Sequence, residues 1–536
     1  MDIKELLKEK LSVVIEEIPK DEIEIEIPKD KSHGDYSTNV AMRLCKIRKA
    51  SPMDIASLIV SKINRNDILK IEIKSPGFIN FFMNKQYLIN NINTVLMKDS
   101  AYGSSNKYLN KKINVEFVSV NPTGNIHIGH TRGACYGDSL ANILKFVGFD
   151  VTKEYYINDA GNQMMNMAKS IKERYKELLG LPFKMEDNYY YGEEIIKVAK
   201  EMYEEKKDGY LDAPLEVFKE RGLREFLSKI KKDLEQARIN FDVWTSEQAL
   251  RDRGLVEKTI TKLQELGYTY EQDGAVWLKT SLFGDEKDRV IIKNDGSYTY
   301  FLPDIAYHLD KLERGYDKLI DVFGADHHGY VARLKAAVTM LGGDKEKLDV
   351  ELVQMVRAIK NHEEYKLSKR TGKTITMKDL IDDAGTDAIR YFFVSKSLDT
   401  QMDFDVDLAR TKSNDNPVYY IQYAHARICS ILNSYDTKIE NTHKIETIDQ
   451  EAAYNVLAKI YEFPSVVERS AIKKTPHLIT NYAYELAHLF HSYYSKEKII
   501  TEDKNRTQER IMFIKAVKIT IANALRLIGV EAIEKM

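Results

Sequence analysis

Asn121-Pro-Thr-Gly-Asn-Ile-His-Ile-Gly-His130 follows an apolar run, Ile113 to Val120, that alternates as a strand does, and leads into a helix-forming stretch starting near Gly129. It reads as a strand, a glycine-bearing turn and a helix N-terminus carrying two imidazoles. Such a turn suits nucleotide phosphates. Unpaired backbone N–H groups and the positive end of the helix dipole face the anion, while the histidines add side-chain donors.

Outward from this turn, the chain alternates strand and helix from Lys111, the pattern of a parallel sheet with right-handed crossovers. Val115 to Val120 and Thr152 to Ile157 supply the first two strands. Gly274 to Lys279, Arg289 to Lys293, Lys318 to Gly324 and Glu351 to Val356 resume the rhythm. The charged, helical stretch from Gly161 to about Ala249 is too long for one crossover and reads as an insertion. Ahead of the core, helical spacing covers Asp2 to Ile18, Val40 to Ile47 and Met53 to Ile63. Glu22 to Ile27 alternates strictly, Ile71 to Lys74 and Gly77 to Met83 are strand-like, a helix closes the unit around Tyr87 to Met97, and Tyr102 to Lys107 reads as a linker. Beyond Asp407 only amphipathic helices follow: Leu408 to Leu432, Glu451 to Ile460, Leu478 to Tyr494 and Gln508 to Ile528. The expected fold is α/β and multidomain. A small α/β domain over 1–108 precedes a doubly wound, Rossmann-like parallel-sheet core over 109–406 with a helical insertion at about 161–250, and an all-helical domain over 407–536 follows.

Composition sets bounds. The 536 residues exceed what one core serves, and three or four domains of about 100–200 residues fit better. A net charge of −2 argues against retention on nucleic acid by bulk charge and leaves room for local basic patches. Three cysteines, Cys45, Cys135 and Cys429, form no close pair, so neither a disulfide framework nor a CxxC metal site is supported and a reducing compartment is expected. The N-terminus lacks a signal-peptide apolar core, and no run approaches the ~18 apolar residues of a membrane helix. A soluble, cytoplasmic protein is expected, with no membrane contact.

Two segments can carry chemistry. His127 and His130 are three apart and would share a helix face, which admits a metal-ligand reading, but no Cys or Glu at ligand spacing and no third ligand accompany them. No metal site is assigned. Phosphate contact is the reading preferred over plain structural histidines. The stretch Lys360 to Lys373 interleaves Lys360, Lys366, Lys369, Arg370 and Lys373 with Ser368, Thr371 and Gly372. Such runs are often only solvated loops. This one follows a buried strand, Leu352 to Val356, and ligands of open parallel sheets bind at the carboxyl ends of the strands. There the loop can meet the His127 turn and stabilise charge growing on phosphate oxygens.

His127-Ile-Gly-His130 and Lys366-Leu-Ser-Lys-Arg370 resemble the HIGH and KMSKS motifs of class I aminoacyl-tRNA synthetases, with Gly324-Ala-Asp326 similar to the ribose-binding element between them. The resemblance narrows to the arginyl-tRNA synthetases along nearly the whole chain. Gly34 to Met42 and Pro76 to Asn80 resemble that family's N-terminal domain. Val115 to Pro122, Tyr156 to Gly161, Phe241 to Trp244, Asp273 to Trp277, Tyr300 to Ile305 and Gly324 to Gly329 resemble its catalytic domain. Val418 to Arg427 resembles the opening of its helical anticodon-binding domain.

This resemblance implies ATP-dependent activation of L-arginine to arginyl-adenylate and transfer to the 3′ end of tRNA(Arg), with Mg²⁺ accompanying ATP. It assigns His127, His130, Lys366 and Lys369 to catalysis, and Gly129, Gly324, Asp326 and Ser368 to ATP. Glu116 and Asp304 would take the guanidinium, Tyr300 would stand alongside, and Asn121 would hold the α-amino group. Phe78 and Asn80 would contact the tRNA D-loop, and Tyr423 and Arg427 the anticodon loop. A planar fork of donors calls for carboxylates. If that pair is buried and unfilled, lysine or citrulline is rejected without an editing domain, so the insertion is not read as an editing site. The plainer alternatives are a water-facing edge strand for Glu116, a helix cap for Asp304, a core position for Phe78, and a buried Tyr423 beside a solvated Arg427. Many members of the family place a lysine just before HIGH and carry a degenerate second motif. Here Thr123-Gly-Asn125 fills that slot, so Lys369, assisted by Lys366, is expected to supply the cation. A monomer is expected. A catalytically silent tRNA-binding paralogue and a small-molecule ligase of the HIGH superfamily are the competing functions.

Overall fold

The computed structural model describes residues 3–28, 30–365, 375–435 and 445–536. At its centre five strands, β1 (Lys112–Glu116), β2 (Asp150–Ile157), β3 (Val243–Ser246), β4 (Lys318–Gly324) and β5 (Leu348–Val353), form an all-parallel sheet in the order β5-β4-β1-β2-β3. The order reverses between β1 and β4, and a ligand crevice opens at such a switch point beyond the carboxyl ends of the strands. Helix α1 (Ile128–Phe146) leaves the turn after β1 and packs back on the sheet. The approach is close. A Cβ at Gly137 would stand 2.3 Å from the Phe117 ring.

Several expected elements fall differently. β1 ends at Glu116 rather than Val120, because Val118 and Ser119 adopt φ 70 and 41 and turn the chain out of the sheet. A β-branched residue in that region is strained. β3 lies inside the stretch expected to be insertion. The helices Asn162–Leu178, Glu193–Lys206 and Leu215–Gln236 carry a small core of their own around Met167, Ile171 and Phe218. Ala275–Leu278 and Arg289–Ile292 are strands, but outside the central sheet they form a separate antiparallel sheet with Thr269–Gln272, in which Ala275–Leu278 lies in the middle and pairs with both. Val356 starts a further strand, Val356–Lys360, parallel to Met402–Asp405.

In the N-terminal region the strands Tyr36–Thr38, Phe78–Met83 and Ile68–Lys74 form an antiparallel sheet under two helices, Val40–Arg48 and Pro52–Lys62. The alternating Glu22–Ile27 segment buries Ile23 and Ile25 but makes only one bridge, Glu26 to Ser37. Four long C-terminal helices, Pro417–Asn433, Glu451–Ile472, His477–Tyr494 and Lys504–Leu527, pack as a bundle. The helix Gln86–Lys98 packs into this bundle, burying Leu88, Ile92 and Val95 against Glu451–Ile472 and Lys504–Leu527. The expected linker after it is anchored: the buried Tyr102 hydroxyl donates to Ile460 O at 2.8 Å, and Asn523 Nδ2 donates to Tyr102 O at 3.1 Å.

A second tie joins bundle and core. Arg390, fully buried, donates to Asp138 of α1 at 2.6 Å and to Ile528 O at 2.9 Å. Gly529, at φ 71, has to be glycine there, since a Cβ would lie 2.2 Å from that guanidinium. Among the described residues no helix is long and apolar enough to cross a membrane.

Candidate active site

The turn after β1 delivers His127 as the N-cap of α1. Its Nδ1 accepts the Gly129 N–H at 3.1 Å, and His130 Nδ1 accepts the His127 N–H at 3.5 Å. Because Nδ1 accepts in both rings, the hydrogen of each neutral imidazole resides on Nε2. The rings stack with centroids 3.5 Å apart. Burial lowers the pKa of His127, and burial with the neighbouring His127 lowers that of His130 to about 4 against the pull of Asp326. The turn therefore offers neutral N–H donors and the helix terminus, and at neutral pH no side-chain cation. Among the described residues no group of three His, Cys, Asp or Glu side chains is placed to hold a metal ion.

Lys366, Ser368 and Lys369 lie outside the described residues, but the flanks of their segment are fixed. Tyr365 N donates to Ala358 O at 2.8 Å on one side. On the other, Ile128 N donates to Ile375 O at 2.9 Å and Met377 N to Ile126 O at 2.7 Å. The chain thus re-enters the described fold at Ile375 beside the first motif. Gly324 closes β4, next to β1, and the exposed Asp326 follows in a short 3₁₀ turn, near enough to His130 to act on its charge.

Within the sheet next to this turn lies a buried row of carboxylates. Asp321, Glu116 and Glu154 stand in register on the neighbouring strands β4, β1 and β2, all buried. Helix α2 (Phe301–Glu313) lies across them. Lys311 donates to Glu116 at 2.5 Å and to Asp321 at 2.9 Å, His308 Nε2 contacts Asp321 at 2.8 Å, and Arg314 at the C-cap contacts Glu154 at 2.9 Å. Burial works against each charge here, and the partners decide the outcome. Lys311 and His308 hold Asp321 down to about 2, Asp321 raises His308, and the carboxylates raise Lys311. For Glu116 burial prevails over Lys311 and its pKa rises.

Asp304 differs from this row. Burial pushes its carboxyl up to about 6, opposed by the Tyr330 hydroxyl that donates to it and by His308. It sits a full turn inside α2, whose N-cap position is Tyr300, so the helix-cap alternative fails. The edge-strand alternative for Glu116 fails too: β1 is central and Glu116 is 5% exposed. The condition that both carboxylates be buried and unfilled is met in part: both are buried, but Glu116 already receives Lys311, and Ser119 at 3.0 Å. Asn121 is half-buried at the start of the turn, its carbonyl accepting from Thr123 N at 2.7 Å. Tyr300 is 79% exposed at the rim. Asn125, in the slot before HIGH, donates to Glu194 of the insertion at 2.7 Å, and Lys229 also reaches Glu194.

Sequence reasoning passed over Lys311, His308, Asp321 and Tyr330. A signal was present: an aspartate inside the apolar run Leu319–Phe323, and a lysine and a histidine spaced three apart with Asp304 one turn away on one helix.

Of the expected RNA contacts, Phe78 and Asn80 lie on the sheet face opposite the core residues Ile79, Phe81 and Met83. Asn80 is 2% exposed and its amide accepts Ser37 Oγ at 2.7 Å, so the structure presents half-buried Phe78 and not Asn80 for contact. In the bundle, Arg427 donates to Tyr423 at 2.6 Å and lies 4.7 Å from the Tyr494 ring, while Tyr423 stacks on His491 at 5.7 Å. Both are half-buried on a surface of rings, rather than one buried and one solvated. Stacking platforms of this kind suit unpaired bases.

Three family models match along the chain: an arginyl tRNA synthetase N terminal domain over 1–83, a class I (R) tRNA synthetase catalytic domain over 91–405, and a DALR anticodon binding domain over 421–536. The chain is 49% identical to the arginine–tRNA ligase of Bacillus subtilis (strain 168) across 100% of its own length and 99% of the relative's. It is 50% identical to that of Geobacillus kaustophilus (strain HTA426), across 97% and 95%. Its fold matches the arginyl-tRNA synthetase of Thermus thermophilus with a TM-score of 0.78 at 19% identity, covering 100% of both chains.

Proposed function

Because this chain belongs to the arginyl-tRNA synthetases, class I enzymes that activate arginine with ATP and join it to tRNA, we propose that the two sides of its crevice divide the reaction between them. Asp304 takes the guanidinium, with Glu116 lining the pocket, Tyr300 at its rim and Asn121 toward the α-amino group. The His127–His130 turn, Gly129, Gly324 and Asp326 take ATP. The arginine carboxylate attacks the α-phosphorus in line, forming the acyl phosphate bond as the bond to pyrophosphate breaks. A terminal ribose hydroxyl of tRNA(Arg) then attacks the acyl carbon and AMP leaves. Neutral Nε2–H groups of His127 and His130 donate to phosphate oxygens and hold no proton for transfer. Lys369, assisted by Lys366 and with Ser368 beside them, stabilises the charge that grows on those oxygens. Mg²⁺ would enter as part of the ATP substrate and help to neutralise its phosphate charge. Phe78 and the Tyr423–Arg427 platform contact the tRNA, and the protein acts as a cytoplasmic monomer.

The observation that carries the amino-acid half is Asp304, a carboxylate pushed up by burial whose hydrogen-bonded partner is a neutral hydroxyl, beside a row whose carboxylates have cations. A guanidinium is the ligand that completes it. Neither a silent paralogue nor a small-molecule ligase accounts for relatives of this identity over the full length. Arginine-dependent ATP–pyrophosphate exchange tests the reading. Exchange is expected with arginine, not lysine or citrulline, and only when tRNA(Arg) is present. Folded protein that exchanges nothing under either condition overturns it.

A further inference from the structure

The oxygens of Glu116 already have donors within the protein. Oε2 accepts from Lys311 Nζ at 2.5 Å and Oε1 from Ser119 Oγ at 3.0 Å. Lys311 is wholly buried, bridges Glu116 and Asp321, and rests over the Tyr307 ring at 4.3 Å. Buried ion pairs are often no more stabilising than apolar residues of the same volume, so packing alone gives no reason for an ammonium here.

The charge pattern gives one. Asp321, Glu116 and Glu154 on adjacent strands face Lys311, Arg314 and His308 from one helix, and the sets compensate each other. Asp304 is left over. It is faced by the neutral Tyr330 from helix His328–Met340, by His308 one turn away on its own helix, and by Glu116 and Glu247, both carboxylates. Glu116 is faced by Lys311 and His308 from α2 and by Asp321 from β4, with Glu154 its neighbour on β2.

We propose that Lys311 is a positioning residue of the arginine site: by compensating and fixing Glu116 it leaves Asp304 as the single unpaired carboxylate, so that the pocket offers one negative charge to one guanidinium. This rests on the reading of the Asp304 pocket as the arginine site. Glu116 then contributes an oriented acceptor edge rather than a second counter-charge. Without Lys311 two buried carboxylates would share the pocket, each raising the other, and a second proton would have to leave before arginine could bind.

The test uses full-length protein with tRNA present, following the arginine KM against pH with the ATP KM in parallel. In the wild type the arginine KM rises about tenfold per pH unit below pH ~6, the signature of one proton. Lys311→Met should raise the arginine KM at pH 7 at least ~10-fold and steepen that slope toward about a hundredfold per unit. Glu116→Gln alone should weaken arginine, because the pocket's net charge is then cancelled. Adding Lys311→Met to Glu116→Gln should recover most of that loss and keep the one-proton slope. Throughout, the ATP KM should stay within about twofold. A double variant no better than Glu116→Gln overturns the proposal, even if Lys311→Met alone does not fold, and so does a one-proton slope in folded Lys311→Met. If Asp304→Asn leaves the arginine KM unmoved, the site reading itself fails. If it raises that KM and the Lys311 variants misbehave, only the role of Lys311 fails.

Discussion

His130 and Asp304 lie near the carboxyl ends of the central strands, and burial acts on both with opposite consequences for use. It drives the imidazole to about 4 and the carboxyl to about 6, favouring the neutral form in each case. Neutrality suits the role proposed for the histidine, donating an Nε2–H to a phosphate whose charge shifts as the reaction runs. It does not suit the role proposed for the aspartate, since a carboxyl has to be ionised to pair with a guanidinium that never titrates. On the proposed division, the turn for the nucleotide offers donors without fixed charge, and the region for the amino acid holds fixed charges that α2 partly compensates. On that proposal, a substrate that changes charge meets dipoles at the His127–His130 turn, and one that keeps its charge meets a preformed counter-charge at Asp304.

The largest expected effect tests the amino-acid side. Asp304→Asn should lower kcat/KM for arginine by about 10³, the scale of stranding a buried charge-assisted hydrogen bond, with the ATP KM almost unchanged. Equal losses for both substrates would break the division. Next, Lys369→Ala should reduce the exchange kcat by about 10², the scale of removing one donor to a developing oxyanion, while arginine binding stays near wild type. An unaltered rate would move the nucleotide-side cation elsewhere. The smallest effect is on stability without ligand. The folded carboxyl of Asp304 is raised from 3.8 to about 6, so the native state binds that proton more tightly than the unfolded chain. The stability it contributes is present at low pH and lost as pH rises from about 4 to about 6. Asp304→Asn should therefore raise Tm by about 1–3 °C above pH 6 and leave it unaltered near pH 4. A gain equal at both pH values would mean that the asparagine merely packs better.

Most of the architecture was legible in the residues. Helical spacing located the C-terminal bundle, and the Asn121–His130 turn located the first crossover of the sheet. What failed had physical causes. Alternation marks a strand but not its sheet, so Ala275–Leu278 and Arg289–Ile292 were read into the core when they pair with a local neighbour. β3 is four half-buried residues behind a charged helical stretch, too short for periodicity to register. Phe117–Val120 continues the apolar pattern of β1, yet two left-handed residues end the strand there. Candidate site residues could be singled out where single side chains sit on signature segments, as at His127 and Asp304. Others were hidden where the structure pairs charges across elements: Lys311 belongs with Glu116 through 195 residues of intervening sequence.

The clasp on the helix Gln86–Lys98 has a bearing on how the chain is made. Its apolar face is covered by the helices Glu451–Ile472 and Lys504–Leu527, which leave the ribosome hundreds of residues later. A nascent chain therefore carries Leu88, Ile92 and Val95 without these covering helices while the intervening hundreds of residues are made, at ~5–20 residues per second. Until this long-range closure forms, the chain carries an exposed apolar helix face of the kind that makes folding intermediates prone to aggregate.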